Sequence, residues 1–438
     1  MKILEKIIEY GLYLFVFLLP WQTRLILRGG DLNGYWEYGT ISIYATEILL
    51  WAIFVLAATW WIVNKIQNPK SKIQISNEIQ NPKSKSAYLL ICLFAFLLYS
   101  LVSILWSDSR SLALYVWHWL AEAAVLFLIL RAVKFDLVKL AWAFVASAII
   151  QAGLGTWQFL SQSTFSSKWL GMALHDPQVP GTFVVETALR RWLRAYGSLP
   201  HPNMLAGFLS VAMFLSIWLY QKIGYGFKKL FLPAVFAVLS FGLCATFSKS
   251  VIASFLLVLI LWWIIILARR QSKEIKINLL KFTLVFLVIA AIFGATFWEP
   301  VQTRIIGAER LEIKSTTERL SYFGEAWQLI KNHPLIGAGL GNYTLAVHNE
   351  INPNLQAWDY QPVHNIYLLI LAELGIIGFI LWLALIFILI KNLPVIRRPL
   401  FIMLLFIGLF DHYFWTLYFG IILFWLVFGA KRKDFDTT

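Results

Sequence analysis

Twelve apolar runs, broken by short polar stretches, set the pattern of the chain. They fall at approximately 7–22, 42–64, 87–106, 113–131, 138–158, 203–221, 230–247, 251–268, 282–298, 364–390, 399–413 and 414–430. An α-helix rises 1.5 Å per residue, so about 20 apolar residues cross the hydrocarbon of a bilayer. The pattern therefore predicts twelve spans, the last two short, in one polytopic all-α membrane domain over residues 1–438. Three connecting segments are longer than a turn requires: 65–86, 159–202 and 299–363.

Within 299–363 the period changes. Leu320, Tyr322, Phe323, Ala326, Trp327 and Ile330 follow helical spacing and predict an amphipathic helix, capped by Thr316 or Thr317 and running to about Lys331. Arg319 precedes Tyr322 and Phe323 by three and four residues, so it projects from the apolar face, where a cation needs an anion. Glu318, Glu325 and Lys331 fall off that stripe and are expected in solvent.

Composition sharpens the membrane reading. Hydrophobic residues make up 60% of the 438 positions and charged residues only 14%, far from a soluble domain. Charge at the centre of a bilayer costs a few kcal/mol, so the charges mark the connections. With the N-terminus placed in the cytoplasm, 24 of the 37 Lys and Arg residues fall on the cytoplasmic side, and the C-terminus lies there too. The net charge of +14 forms no continuous basic, aromatic-interleaved stripe, which argues against nucleic acid as a partner. The segment 65–86 carries IQNPKSK at 66–72 and again at 79–85 and is expected as a cytoplasmic insertion without catalytic role. The first run lacks a small-residue cleavage site and is expected to remain as a helix. Cys92 and Cys244 stand alone in apolar stretches, and neither a cofactor nor a metal ligand set is expected.

Candidate chemistry gathers where 159–202 and 299–363 re-enter the membrane, on the outward face of this topology. In RRWLRAYGSLPHPN, Arg190 and Arg194 would share a face if helical, and His201, Pro202 and Asn203 open the sixth span. In TFSKS, Lys249 is an isolated outward cation, which the positive-inside rule disfavours. Gly337, Gly339 and Gly341 read as a turn, since no strand precedes them as a dinucleotide fold requires. Pro362 places His364 in the first turn of the tenth span, where the helix dipole disfavours imidazolium and leaves a neutral ring able to accept a proton. Glu373, nine residues further, lies about half a turn round and about 13.5 Å deeper, too far to orient His364. It is expected to find a partner inside the bundle, and Gly375 and Gly378 beside it allow close helix approach. Glu47 and Glu122 raise the same question, and Asp411-His412 is expected at the interface.

The ordered set RAYGSLPHPN, TFSKS, ERLSYFGEAWQLIKNHPLIGAGLGNY and HNIYLLILAELGIIGF, over about 190–390, resembles the bacterial O-antigen ligase and polymerase family. The resemblance implies a helical fold like that of other multi-span membrane glycosyltransferases. It implies transfer of a glycan from an undecaprenyl-diphosphate carrier to a lipid or glycan hydroxyl, without a metal, at the outer face of the cytoplasmic membrane. It assigns the diphosphate to Arg319 and Lys249, with Arg194 as a further candidate, and the base role to His364; Asn365, His201, Asn203 and Glu373 are secondary candidates. Lysine at 249 departs from the arginine of the family's SR motif and loses its bidentate fork. Two other readings remain open: a chain-extending polymerase on the same site, and a solute transporter with Glu47, Glu122 and Glu373 along its pathway.

Overall fold

The computed structural model describes residues 2–67, 85–224, 226–393 and 398–429. Most of the repeat-bearing insertion, Arg397 and the basic residues 431–433 lie outside the described residues.

A helix stands at each of the twelve apolar runs: α1 Lys2–Leu18, α2 Ala45–Gln67, α3 Lys85–Val102, α4 Arg110–Ala132, α5 Leu137–Ser161, α6 Pro202–Lys222, α7 Phe227–Ala245, α8 Lys249–Ala268, α9 Lys273–Thr296, α13 Ile366–Asn392, α14 Arg398–Ile407 and α16 Tyr418–Gly429. Among the described residues eight of them are long and apolar enough to cross a membrane, and α1, α7, α14 and α16 are not among the eight. The chain is an all-α integral membrane protein. Helix α6 is buried nearly all round and forms the centre of the bundle. By contrast α9 exposes Leu280, Leu284, Leu287, Val288 and Ile292, a surface suited to lipid. Helices α14 and α16 are shorter than their runs because 408–417 folds into a turn around the one-turn helix α15, Tyr413–Thr416.

The long connections are folded too. Residues 24–44 form a hairpin of β1 Arg24–Arg28 and β2 Ile41–Tyr44. A second hairpin pairs β3 Val184–Glu186 with β4 Arg191–Leu193, so the stretch expected as a possible helix around Arg190 and Arg194 is extended. Arg190 is left lying over the Trp192 ring at 3.5 Å. Segment 299–363 contains α10 Trp298–Ile306, α11 Arg310–Asn332 and α12 Tyr343–Glu350. Helix α11 starts six residues earlier than Thr316, with Glu309 at its cap position. Its buried line runs through Glu312, Glu325, Ala326, Leu329 and Ile330, whereas Leu320, Phe323 and Trp327 are exposed. The apolar spacing thus places the buried stripe one step off: Glu325 points inward, where the Asn352 amide donates to it at 2.8 Å.

Helix α13 is broken at Gly375, where φ is 63° and ψ −172°. The HPLIGAGLGNY segment fills the break with main-chain bonds: Ala338 N to Ala372 O at 2.9 Å, Gly339 N to Glu373 O at 2.8 Å, and Ile376 N to Pro334 O at 3.0 Å. The three glycines therefore form the expected turn, with φ values of 73°, 101° and 67°, and it packs against an interrupted helix. A Cβ on Gly375 would lie 2.3 Å from the carbonyl of Leu335, in a left-handed conformation that side chains resist. Gly375→Ala is accordingly expected to cost about 1–3 kcal/mol, seen as a lower unfolding temperature in detergent; an unchanged melting curve would show that the break relaxes freely.

Candidate functional site

Where β4 turns into α6, a buried polar chain begins. His201 caps α6, its Nδ1 accepting from the Asn203 N–H at 2.9 Å, and Pro202 occupies the first helical position, where its missing N–H costs nothing. With Nδ1 accepting, the neutral ring carries its proton on Nε2. Asn203 reaches both ways: its Oδ1 accepts from Arg194 Nη2 at 2.9 Å, and its Nδ2 donates to Asp411 Oδ2 at 2.7 Å. Arg194 Nε also donates to the Thr246 carbonyl at 2.7 Å. Burial, then the neighbouring Arg304 guanidinium, pushes the Arg194 pKa down to about 9, which still leaves a buried cation at neutral pH. Its hydrogen bonds go to neutral oxygens alone, so its charge is uncompensated by direct pairing.

The mouth of α13 faces this chain. Asn365, in extended conformation, caps the helix by accepting from the N–H groups of Tyr367 and Leu368, each at 3.0 Å, and its amide donates to Leu409 O at 3.2 Å. Its polar atoms are spent on structure. His364 therefore stands just before the cap rather than in the first turn. Its ring stacks on Tyr322 of α11 at 5.9 Å and meets His412 edge-on at 4.9 Å. The Pro362 carbonyl acts on the ring, but Nδ1 itself is buried and completes no hydrogen bond.

Electrostatics keep these imidazoles neutral. Burial lowers the His364 pKa; the Asp411 carboxylate works against that, and the Arg319 guanidinium adds to it. Burial and the neighbouring His364 take His412 down to about 3. His201 is lowered well below the usual range, again by burial first. Despite burial, which raises it, the Asp411 carboxyl is held low: its charge draws any proton that reaches His412, His364 or His201, and the Asn203 amide donates to it. One carboxylate, three neutral rings and the cations Arg194 and Arg319 thus act on one another in a single cluster, in which Asn203 bonds Arg194 to Asp411. Among the described residues Arg319 makes no ion pair with a carboxylate. The anticipated need for an anion there remains.

Lys249 is placed differently. It is the first residue of α8, and its Nζ lies 2.8 Å from Glu312 Oε2. The other oxygen of Glu312 binds Arg304, which also donates to the Phe247 carbonyl at 2.9 Å. Burial of Glu312 is outweighed by Arg304 and Lys249, so its carboxyl is held low and ionised. Lys249 joins the cluster only through this carboxylate, since Arg304 and Glu312 are among the groups acting on Arg194. A half-exposed pair of this kind contributes about 1 kcal/mol or less, so Lys249→Ala is expected to weaken binding of an anion at this cluster by no more than about fivefold. A titration showing a loss equal to that of Arg319→Ala would place Lys249 on the anion directly.

Glu373 is outside the chain of bonds that joins Arg194, Asn203 and Asp411. It accepts from Trp415 Nε1 at 2.8 Å and from the main chain of Gly341 and Tyr343, tying the glycine turn and α15 to α13. Gly378, as anticipated, lets α3 approach, with Tyr99 packed where a Cβ would stand.

The turn of α7 into α8, Arg304, Glu312, Arg319, the glycine turn and His364 all fall in one stretch of chain. Residues 233–383 match the family model described as O-antigen ligase. Over those residues the chain is similar to O-antigen ligases. No curated protein matches the chain. Arg194, His201, Asn203, Asp411 and His412 lie outside the matched residues yet belong to the same cluster. Asp411-His412 was expected at the interface, but both are buried. Its signal in the sequence was a charge beside a histidine between two short apolar runs. Arg304 and Glu312 gave no such signal, because nothing in their spacing points at TFSKS.

Proposed function

We propose that this chain moves a glycan from an undecaprenyl-diphosphate carrier to a hydroxyl acceptor at the outer face of the cytoplasmic membrane. The observation that carries this reading is the pairing of Arg319, without a carboxylate partner, and buried Arg194 with a neutral His364 at the mouth of α13. The family model and the apolar bundle support a lipid-linked substrate.

In the reaction, the acceptor oxygen attacks the anomeric carbon, the bond to the diphosphate oxygen breaks, and its electron pair stays on the leaving diphosphate. Arg319 and Arg194 stabilise that developing charge in a site shielded from water. His364 takes the proton of the acceptor hydroxyl, and Asp411 offsets the positive charge the ring gains. His412 and Tyr322 hold the ring from two sides and act as positioning residues. Asp411 is the carboxylate that acts on His364. That favours a single displacement with inversion over a two-carboxylate retaining route.

The test uses purified protein in lipid nanodiscs with a polyprenyl-diphosphate glycan and a hydroxyl acceptor. One block of glycan should move, with free polyprenyl diphosphate released in equal amount. A ladder of repeats would make the protein a polymerase on the same site. Solute uptake by proteoliposomes without any glycan chemistry would overturn the assignment.

A further inference from the structure

A second buried polar group lies between α2 and α4, and the proposed reaction does not use it. Glu47 and Glu122 are each about 1% exposed. His118 precedes Glu122 by one helical turn, so both side chains leave the same face of α4. One donor atom from each of Glu47, His118 and Glu122 falls within 4.8 Å of the others. His118 Nε2 stands 3.2 Å from Glu122 Oε1. Neither oxygen of Glu122 completes a hydrogen bond, although the Trp51 side chain lies against it. Trp51 also stacks on the His118 ring at 5.8 Å.

We propose that Glu47, His118 and Glu122 bind a divalent metal cation of the zinc class, as a structural site that pins α2 to α4. The charge argument comes first. Two carboxylates this close and this buried repel each other and lose their hydration, which is costly inside a bundle. A divalent cation brings the pair to neutrality. Geometry points the same way: ligand bonds of about 2.0–2.1 Å in a tetrahedral site place neighbouring donors about 3.3 Å apart, close to the His118–Glu122 separation. One imidazole with two carboxylates suits zinc and its first-row neighbours better than magnesium or calcium, which prefer all-oxygen sets.

The outer support is already built. Glu47 Oε1 accepts from Trp119 Nε1 at 2.6 Å and Oε2 from Tyr44 N at 2.7 Å, which orients the carboxylate while leaving lone pairs for a cation. Tyr44, Tyr115 and Trp119 wall a pocket that also reaches Tyr38, Pro362 and Thr416, beside the His364 cluster. A metal bound at Glu47 therefore stiffens one wall of the candidate site without touching substrate.

The experiment takes the full chain, freed of any affinity tag, in detergent micelles. It is loaded with zinc, dialysed against metal-free buffer and assayed by elemental mass spectrometry. Wild type should retain about one equivalent, and Glu122→Gln and His118→Gln should each lose most of it. Zinc returned to stripped wild type should raise its unfolding temperature, with no such rise for either variant. Wild type that retains almost no metal, or variants that retain as much as wild type, would overturn the site. So would a metal-free Glu122→Gln protein as stable as the zinc-loaded wild type, since that would show a protonated carboxyl doing the neutralising. Failure here would leave the glycan-transfer reading untouched, because no step of that reaction passes through these residues.

Discussion

His364→Ala is expected to lower glycan transfer by about 10²–10⁴-fold, the usual contribution of a positioned general base, while donor binding stays within a few-fold of wild type. The separation follows from where the ring sits. Arg319 and Arg194 carry the charge that holds a diphosphate, whereas His364 offers a neutral nitrogen to a hydroxyl. Steady-state assays should therefore show the loss in kcat rather than in donor affinity. The pH profile adds a second readout. Because burial and Arg319 lower the His364 pKa below its ordinary 6.5, the base form predominates at neutral pH and persists below pH 6.5. Transfer should hold as pH falls from 7 toward 6 and decline only in more acidic buffer. A profile with its acid limb above the ordinary histidine range, or wild-type turnover in the alanine variant, would remove the base role.

The helices were legible in the sequence because apolar length is a strong signal in a lipid solvent, where every run must satisfy its own main chain. Their depth of burial was not, as α6 and α9 read alike yet one is central and the other lipid-facing. His364 and Arg319 could be singled out locally, from a histidine before a membrane helix and a cation three and four residues before Tyr322 and Phe323, and their roles belong to the proposal. Asp411 and Asn203 could not be joined in advance, since their 2.7 Å bond spans more than two hundred residues. Lys249 shows the reverse limit. Its isolation along the chain suggested an unpaired cation, but Glu312 meets it in space. The start and face of α11 are not legible from apolar spacing, because its apolar residues divide between the core and an exposed side.

Arg319→Ala carries the second large effect. Its guanidinium stands by His364, His412 and Arg194, close enough to depress all three, and among the described residues it has no carboxylate ion pair. Removing a preplaced donor to developing charge costs about 10²–10³ in rate, and here the same group also binds the ground-state diphosphate, so donor affinity should fall as well. Arg319→Lys should recover part of the affinity and less of the rate, since an ammonium keeps the charge but not the planar fork that fits phosphate oxygens. The variant should also move the pH profile. With the guanidinium gone, one of the groups holding the His364 pKa down is lost, and the acid limb of transfer should shift upward toward the ordinary histidine range. A purely structural arginine would lower stability without moving that limb. Full donor affinity with an unshifted profile in Arg319→Ala would take the diphosphate away from α11 and leave buried Arg194 as its remaining anchor.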